Sequence, residues 1–154
     1  MVNCDQWGFD GCEVSLMIQG MTAPLHGPVS MSIPFAAESA GRVRDALQVW
    51  LDHRGSAPRI VEDARLIATE LVGNAVRHAS PLRNGTVLVR WQEEGSALAL
   101  SVCDGGGATQ PEKVDAAPDG VNGRGLKIVD ALSSKWWVDH TSHLHTVHVR
   151  LALD

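Results

Sequence analysis

The sequence predicts an α+β fold, a two-layer sandwich in which helices cover one face of a mostly antiparallel sheet. Three observations carry that expectation. Apolar and polar residues alternate at 87–91, a polar turn Glu93-Glu94-Gly95-Ser96 follows, and an apolar run fills 98–102, which together read as a hairpin. A second hairpin closes the chain, from 136–139 to the alternation of Val147, Val149 and Leu151 with His148 and Arg150. Between residues 43 and 75 apolar residues recur at three- and four-residue spacing, as the buried stripe of a helix requires. The 154 residues are enough for one well-filled core and too few for two ordinary domains.

Residues 1–27 hold several Gly, Pro and Met and no sustained period, so they read as a flexible N-terminal extension, with Met21 as an alternative start, and 28–154 as the domain. Val29, Met31, Ile33 and Phe35 alternate with smaller or polar residues and predict a strand with one buried face. Pro34 lacks the N–H that a central strand must donate, which places this strand at an edge. Val43, Ala46, Leu47, Trp50 and Leu51 stripe a first helix that ends near His53-Arg54-Gly55. A second helix from about Arg59 to His78 buries Ile60, Ala64, Ile67, Ala68, Leu71 and Ala75, and Pro81 and Gly85 bound the turn after it. Residues 105–123 are rich in Gly, Pro, Ala and Asp without a period, which predicts a long mobile loop with a lid at 107–123; helical spacing resumes at 126–132. Trp50, Trp91 and Trp136 fall at core positions and read as packing residues.

A net charge of −5 with no basic cluster argues against nucleic acid as a partner. No run approaches the roughly 20 apolar residues that span a bilayer, and the first residues lack a basic head, so the expectation is a cytoplasmic protein with no membrane segment. Cys4, Cys12 and Cys103 make neither an even disulfide framework nor a paired zinc signature and read as reduced thiols. His140, His143, His145 and His148 read as a solvated hairpin rather than a metal site, because His145 and His148 point to opposite faces and no carboxylate or thiol completes the set.

Chemistry concentrates at three places. On the second helix Glu70, Asn74 and His78 recur at four-residue spacing along one shoulder of the apolar stripe. A carboxylate beside a carboxamide oxygen suits a Mg²⁺ that keeps most of its waters and bridges to phosphates, and Glu70 suits a base or orienting group for an attacking hydroxyl. Asp104-Gly105-Gly106-Gly107 follows an apolar strand, where a carboxylate can accept a hydrogen bond from an adenine amine while glycines let the ring approach the backbone. Gly123-Arg124-Gly125-Leu126 opens a helix whose free N–H groups can face phosphates. Each of these also has an ordinary structural reading, as a helix margin, a flexible loop and a helix start.

In this order and context the three segments resemble the N, G1 and G2 boxes of the GHKL ATPases, the superfamily of gyrase, histidine kinases and MutL. The Glu-Leu-Val-x-Asn-Ala-x-x-His-Ala wording, the size, Gly-Arg-Gly-Leu and Trp136 are most similar to the bacterial anti-sigma-factor serine kinases, over about residues 29–153. The resemblance implies a Bergerat-type fold that binds Mg-ATP. It implies Glu70 as the catalytic or water-orienting base, Asn74 as the Mg²⁺ ligand, Asp104 and Thr146 as adenine contacts and Gly106 as the floor of the base pocket. Gly107, with Gly123, Arg124, Gly125 and Leu126, would border the nucleotide, and His78 would stand at the pocket margin. The chain departs from the family at His145 and Trp137, where Gly is usual.

The function implied is an anti-sigma factor that binds a sigma factor, acts as a homodimer and transfers the γ-phosphoryl of ATP to a Ser or Thr of an antagonist protein. The alternative is an ATP-gated binding module with little or no transferase activity.

Overall fold

Val29, Met31 and Ile33 bury their side chains from strand β1 (Val29–Pro34), which does lie at an edge of the sheet. The chain then enters α1 (Ser39–His53), where the Ser39 hydroxyl donates to the Pro34 carbonyl at 2.7 Å and fixes the entry. Val43, Ala46, Leu47, Trp50 and Leu51 form its buried stripe. The helix stops because Gly55 takes the left-handed conformation (φ 71°), which turns the Ser56 N–H back onto the Leu51 carbonyl at 3.1 Å. Pro58 occupies the first turn of α2 (Pro58–His78), a position where its missing N–H leaves no bond unmade. The computed structural model describes residues 27–107, 121–141 and 143–154, with backbone alone at 121–124; the expected N-terminal extension and most of the expected lid lie outside the described residues.

Strands β2 (Thr86–Glu94) and β3 (Ala97–Asp104) form the first hairpin, turning at Gly95 (φ 62°). After α3 (Val121–Leu132), β4 (Lys135–Thr141) and β5 (Leu144–Ala152) form the second. The five strands run β1-β2-β3-β5-β4 with every pairing antiparallel. Period-two alternation puts Val87, Val89 and Trp91 of β2, Leu98, Leu100 and Val102 of β3, and Val147, Val149 and Leu151 of β5 into one buried cluster with the stripes of α1 and α2. Trp50, Trp91 and Trp136 are buried there, and the indole N–H of Trp136 donates to Asp130 at 2.9 Å.

Two sequence expectations are corrected. Helix α3 begins at Val121, so residues 121–123, expected at the end of the long loop, already belong to the helix that Gly123 was expected to open. Glycine weakens intrinsic helix propensity, but Gly125 is buried where α3 meets α2, and that packing overrides the propensity. The histidine hairpin is not simply solvated. His145 and His148 are only 5% and 3% exposed. His148 stacks on Trp137 at 4.9 Å and meets the Asp139 carboxylate at 2.9 Å, while burial lowers its pKa more than Asp139 raises it. Among the described residues no cluster of three or more His, Cys, Asp or Glu is placed to hold a metal, and no helix is long and apolar enough to cross a membrane.

Candidate functional site

Asp104 ends β3 at 4% exposure, on the face of the sheet that the helices cover. Its Oδ1 accepts the Gly106 N–H at 2.7 Å. Burial pushes the Asp104 carboxyl up to about 6, and the Gly106 hydrogen bond pulls in the opposite direction. The following glycines are tied to the end of α2: the Gly105 N–H donates to the Ser80 carbonyl at 2.8 Å and the Ser80 N–H donates to the Gly106 carbonyl at 2.7 Å.

This strap leaves no room for side chains. A Cβ at Gly105 would lie 2.2 Å from the Pro81 carbonyl oxygen, and one at Gly107 would lie 2.8 Å from that of His78. Gly106 instead needs its left-handed φ of 80°. Gly105→Ala is therefore expected to lower the unfolding free energy by about 2–4 kcal/mol in a urea titration, because a backbone carbonyl cannot yield as a side chain can. Gly95→Ala, strained only by its φ of 62° in open space, is the comparison, at about 1 kcal/mol. Equal effects would show that the strap shifts freely.

On α2, Glu70, Asn74 and His78 are half-buried along one shoulder. The Glu70 carboxylate reaches α3: its Oε2 would lie 2.6 Å from a Cβ at Gly125, so the absence of a side chain there makes the space it occupies. Asn74 keeps its Oδ1 buried without a hydrogen-bond partner. An oxygen left that way is a neutral hard donor of the kind Mg²⁺ takes, so the residues fit the expected metal. His78 lies at the helix end, with its carbonyl beneath Gly107. Gly123 and Arg124 fall in the first turn of α3, whose N–H groups have no partner inside the helix, and Leu126 packs against the core.

The fold thus brings Glu70 to Gly125, and Asp104, Gly106 and Gly107 to the end of the helix that carries Asn74 and His78. Thr146 is placed differently. It pairs with Cys103 and Asp139, one register position away from Asp104, and strand alternation turns it to the opposite face of the sheet. A contact from the Thr146 side chain to a base held by Asp104 does not follow from this register. His145 occupies the position across from Asp104, with Nδ1 4.0 Å from Asp104 Oδ1 and its ring 4.2 Å from that of His140. Burial, and secondarily the neighbouring His140, lower the His145 pKa and keep it neutral near pH 7. The sequence marked this residue as a departure from the family and as one of four hairpin histidines, and not as a neighbour of Asp104.

The family model for the histidine kinase-like ATPase domain matches residues 33–151. This chain belongs to the histidine kinase-like ATPase family. It is an ATP-binding family of kinase and ATPase type, and the antiparallel sheet with its helices is the fold of that domain. Among solved structures the ATPase domain is similar to the chain carrying the RsbU and RsbW domains of Rv1364c from Mycobacterium tuberculosis, at 22% identity and a TM-score of 0.64 over 82% of this chain and 32% of that one. It is also similar to the histidine kinase domain of the blue-light activated histidine kinase EL346 from Erythrobacter litoralis, at 21% identity and a TM-score of 0.47 over 79% of this chain and 62% of that one. The domain therefore spans about a third of the length of the mycobacterial chain. No curated protein matches it.

Proposed function

We propose that the domain binds Mg-ATP and, as an anti-sigma factor, phosphorylates a Ser or Thr of an antagonist protein. The observation that carries this reading is the Glu70 carboxylate seated against Gly125 at the start of α3, with the unpartnered Asn74 Oδ1 four residues further along α2. A base and a metal-ligating oxygen on one helical shoulder, facing a helix start, are the parts that phosphoryl transfer needs for positioning and charge neutralisation. The Glu-Leu-Val-x-Asn-Ala wording of α2 supports the anti-sigma type, with a sigma factor as second partner, a homodimer as the assembly and the cytoplasm as its place.

In this reading Asp104 accepts the adenine amine, Gly106 and Gly107 let the base lie on the backbone, and Gly123, Arg124, Gly125 and Leu126 border the triphosphate, with His78 at the margin. Glu70 orients the acceptor hydroxyl and takes its proton as the oxygen bonds to the γ-phosphorus and the bond to the bridging oxygen of ADP breaks. Asn74 would hold Mg²⁺, which when bound neutralises phosphate charge. Incubation with γ-labelled ATP and candidate antagonists, followed by phosphoamino-acid analysis, is expected to yield phosphoserine or phosphothreonine. Partner binding that depends on nucleotide without any transfer would instead make the domain an ATP-gated binding module.

Asn74→Ala is expected to weaken ATP binding about tenfold or more in Mg²⁺ and much less in EDTA, read by calorimetry in the two buffers. An equal loss in both would make Asn74 a structural residue.

A further inference from the structure

We propose that His145 is a positioning residue of the base pocket, which fixes the Asp104 carboxylate so that one oxygen is committed to the protein and the other is presented to the exocyclic amine of a purine. This rests on the reading of Asp104 as the base acceptor and adds to it a residue at which the chain departs from its family.

The geometry converges on one atom. Asp104 Oδ1 accepts the Gly106 N–H at 2.7 Å, and His145 Nδ1 approaches the same Oδ1 at 4.0 Å. Both side chains are nearly sealed from water, at 4% and 5% exposure, and the strands hold them directly opposite each other. With both described contacts on Oδ1, Oδ2 is the oxygen left for a ligand donor. A neutral imidazole carries one N–H, and when that hydrogen is on Nδ1 the ring donates toward Asp104 and leaves Nε2 an acceptor. Closing 4.0 Å to a hydrogen bond takes a ring shift of about 1 Å.

One neighbour lies against the ring and one against the glycine loop. His140 of β4 lies against the His145 ring at 4.2 Å, tilted by 56°, and the His143 carbonyl stands 3.7 Å from where a Cβ on Gly106 would be. Among the described residues the titratable groups around the pair are Asp104 from β3, His140 from β4 and, bordering the glycine loop through their carbonyls, His143 from the hairpin turn and His78 from the end of α2. A Gly at position 145 would supply neither the donor nor the wall.

The test is calorimetric titration of the full chain with ATP and with the purine riboside triphosphate that lacks the exocyclic amine, for the wild type and for His145→Phe, His145→Gln and His145→Ala. His145→Phe fills the space without a donor. It is expected to lose about tenfold in ATP affinity while leaving the amine-free nucleotide unchanged, and His145→Gln, which keeps an N–H, to retain most of the ATP preference. Wild-type ATP affinity should fall as pH drops through about 6, where Asp104 takes up its proton. In His145→Phe that fall should move to higher pH, because losing a donor to the charged form makes the ionised carboxylate less favourable.

A folded Phe variant with wild-type preference and an unmoved pH profile would overturn the role of His145 while leaving that of Asp104 standing. If the Phe variant fails to fold, the contrast between the Gln and Ala variants decides in the same way, equal preference overturning the role. A wild type with no preference for the amine-bearing purine would overturn the Asp104 reading and this proposal with it.

Discussion

Glu70→Gln is expected to lower phosphoryl transfer about a hundredfold or more while leaving ATP affinity within about threefold of the wild type. The substitution preserves length and helix propensity on α2 and removes only the capacity to take a proton. Affinity should survive because the groups assigned to the base and to the metal, Asp104 and Asn74, lie elsewhere on β3 and α2. Gly125→Ala approaches the same carboxylate from the other side. Its methyl would meet Glu70 Oε2 at 2.6 Å, and that atom is the end of a flexible side chain, so the carboxylate moves and the helices need not. Alanine also favours the helical conformation over glycine by up to about 1 kcal/mol. Gly125→Ala should therefore lower transfer without loss of thermal stability. Single-turnover transfer and ATP titration on the same preparations check both variants, and transfer undiminished in Glu70→Gln would refute the base assignment.

Most of the fold is legible in the sequence because each element keeps one period. The stripe from Val43 to Leu51 has one helical solution, and the alternation of Val147, Val149 and Leu151 has one strand solution. What is lost is information that arises between elements. The start of α3 at Val121, two residues before Gly123, is hidden, and the need for glycine at 125 is recognisable only once the Glu70 side chain is seen to occupy the space beside it. The faces of His145 and Thr146 depend on which residue of β3 lies opposite, and a one-residue change of register exchanges them. Burial of His148 is hidden for the same reason, because Trp137 and Asp139 reach it from the neighbouring strand. The three motif segments were legible individually. The hydrogen bonds that strap Gly105 and Gly106 to Ser80, and so join the second segment to the first, were not.

The strap holds Asp104 where its own charge opposes folding, and Asp104→Asn is accordingly expected to stabilise the protein at pH 7 while weakening ATP binding. The carboxyl is raised from 3.8 to about 6 chiefly by burial. Because the folded pKa lies above the unfolded one, the folded state is favoured by protonation. That contribution is fully present below about 3.8, is lost as pH rises toward 6, and is absent at pH 7. Two pKa units correspond to roughly 1–3 kcal/mol. Asparagine is isosteric and neutral and keeps an oxygen for the Gly106 N–H, so urea denaturation should show a gain of that order at pH 7 that disappears near pH 4. The amide then turns its NH₂ toward the purine amine, donor against donor, and ATP affinity should fall by about 30- to 100-fold. A loss of stability at both pH values would make the carboxylate a structural anchor. Unchanged ATP affinity would remove Asp104 from the base pocket. Stabilisation together with weakened binding would show that the position is kept acidic for the ligand and against the fold.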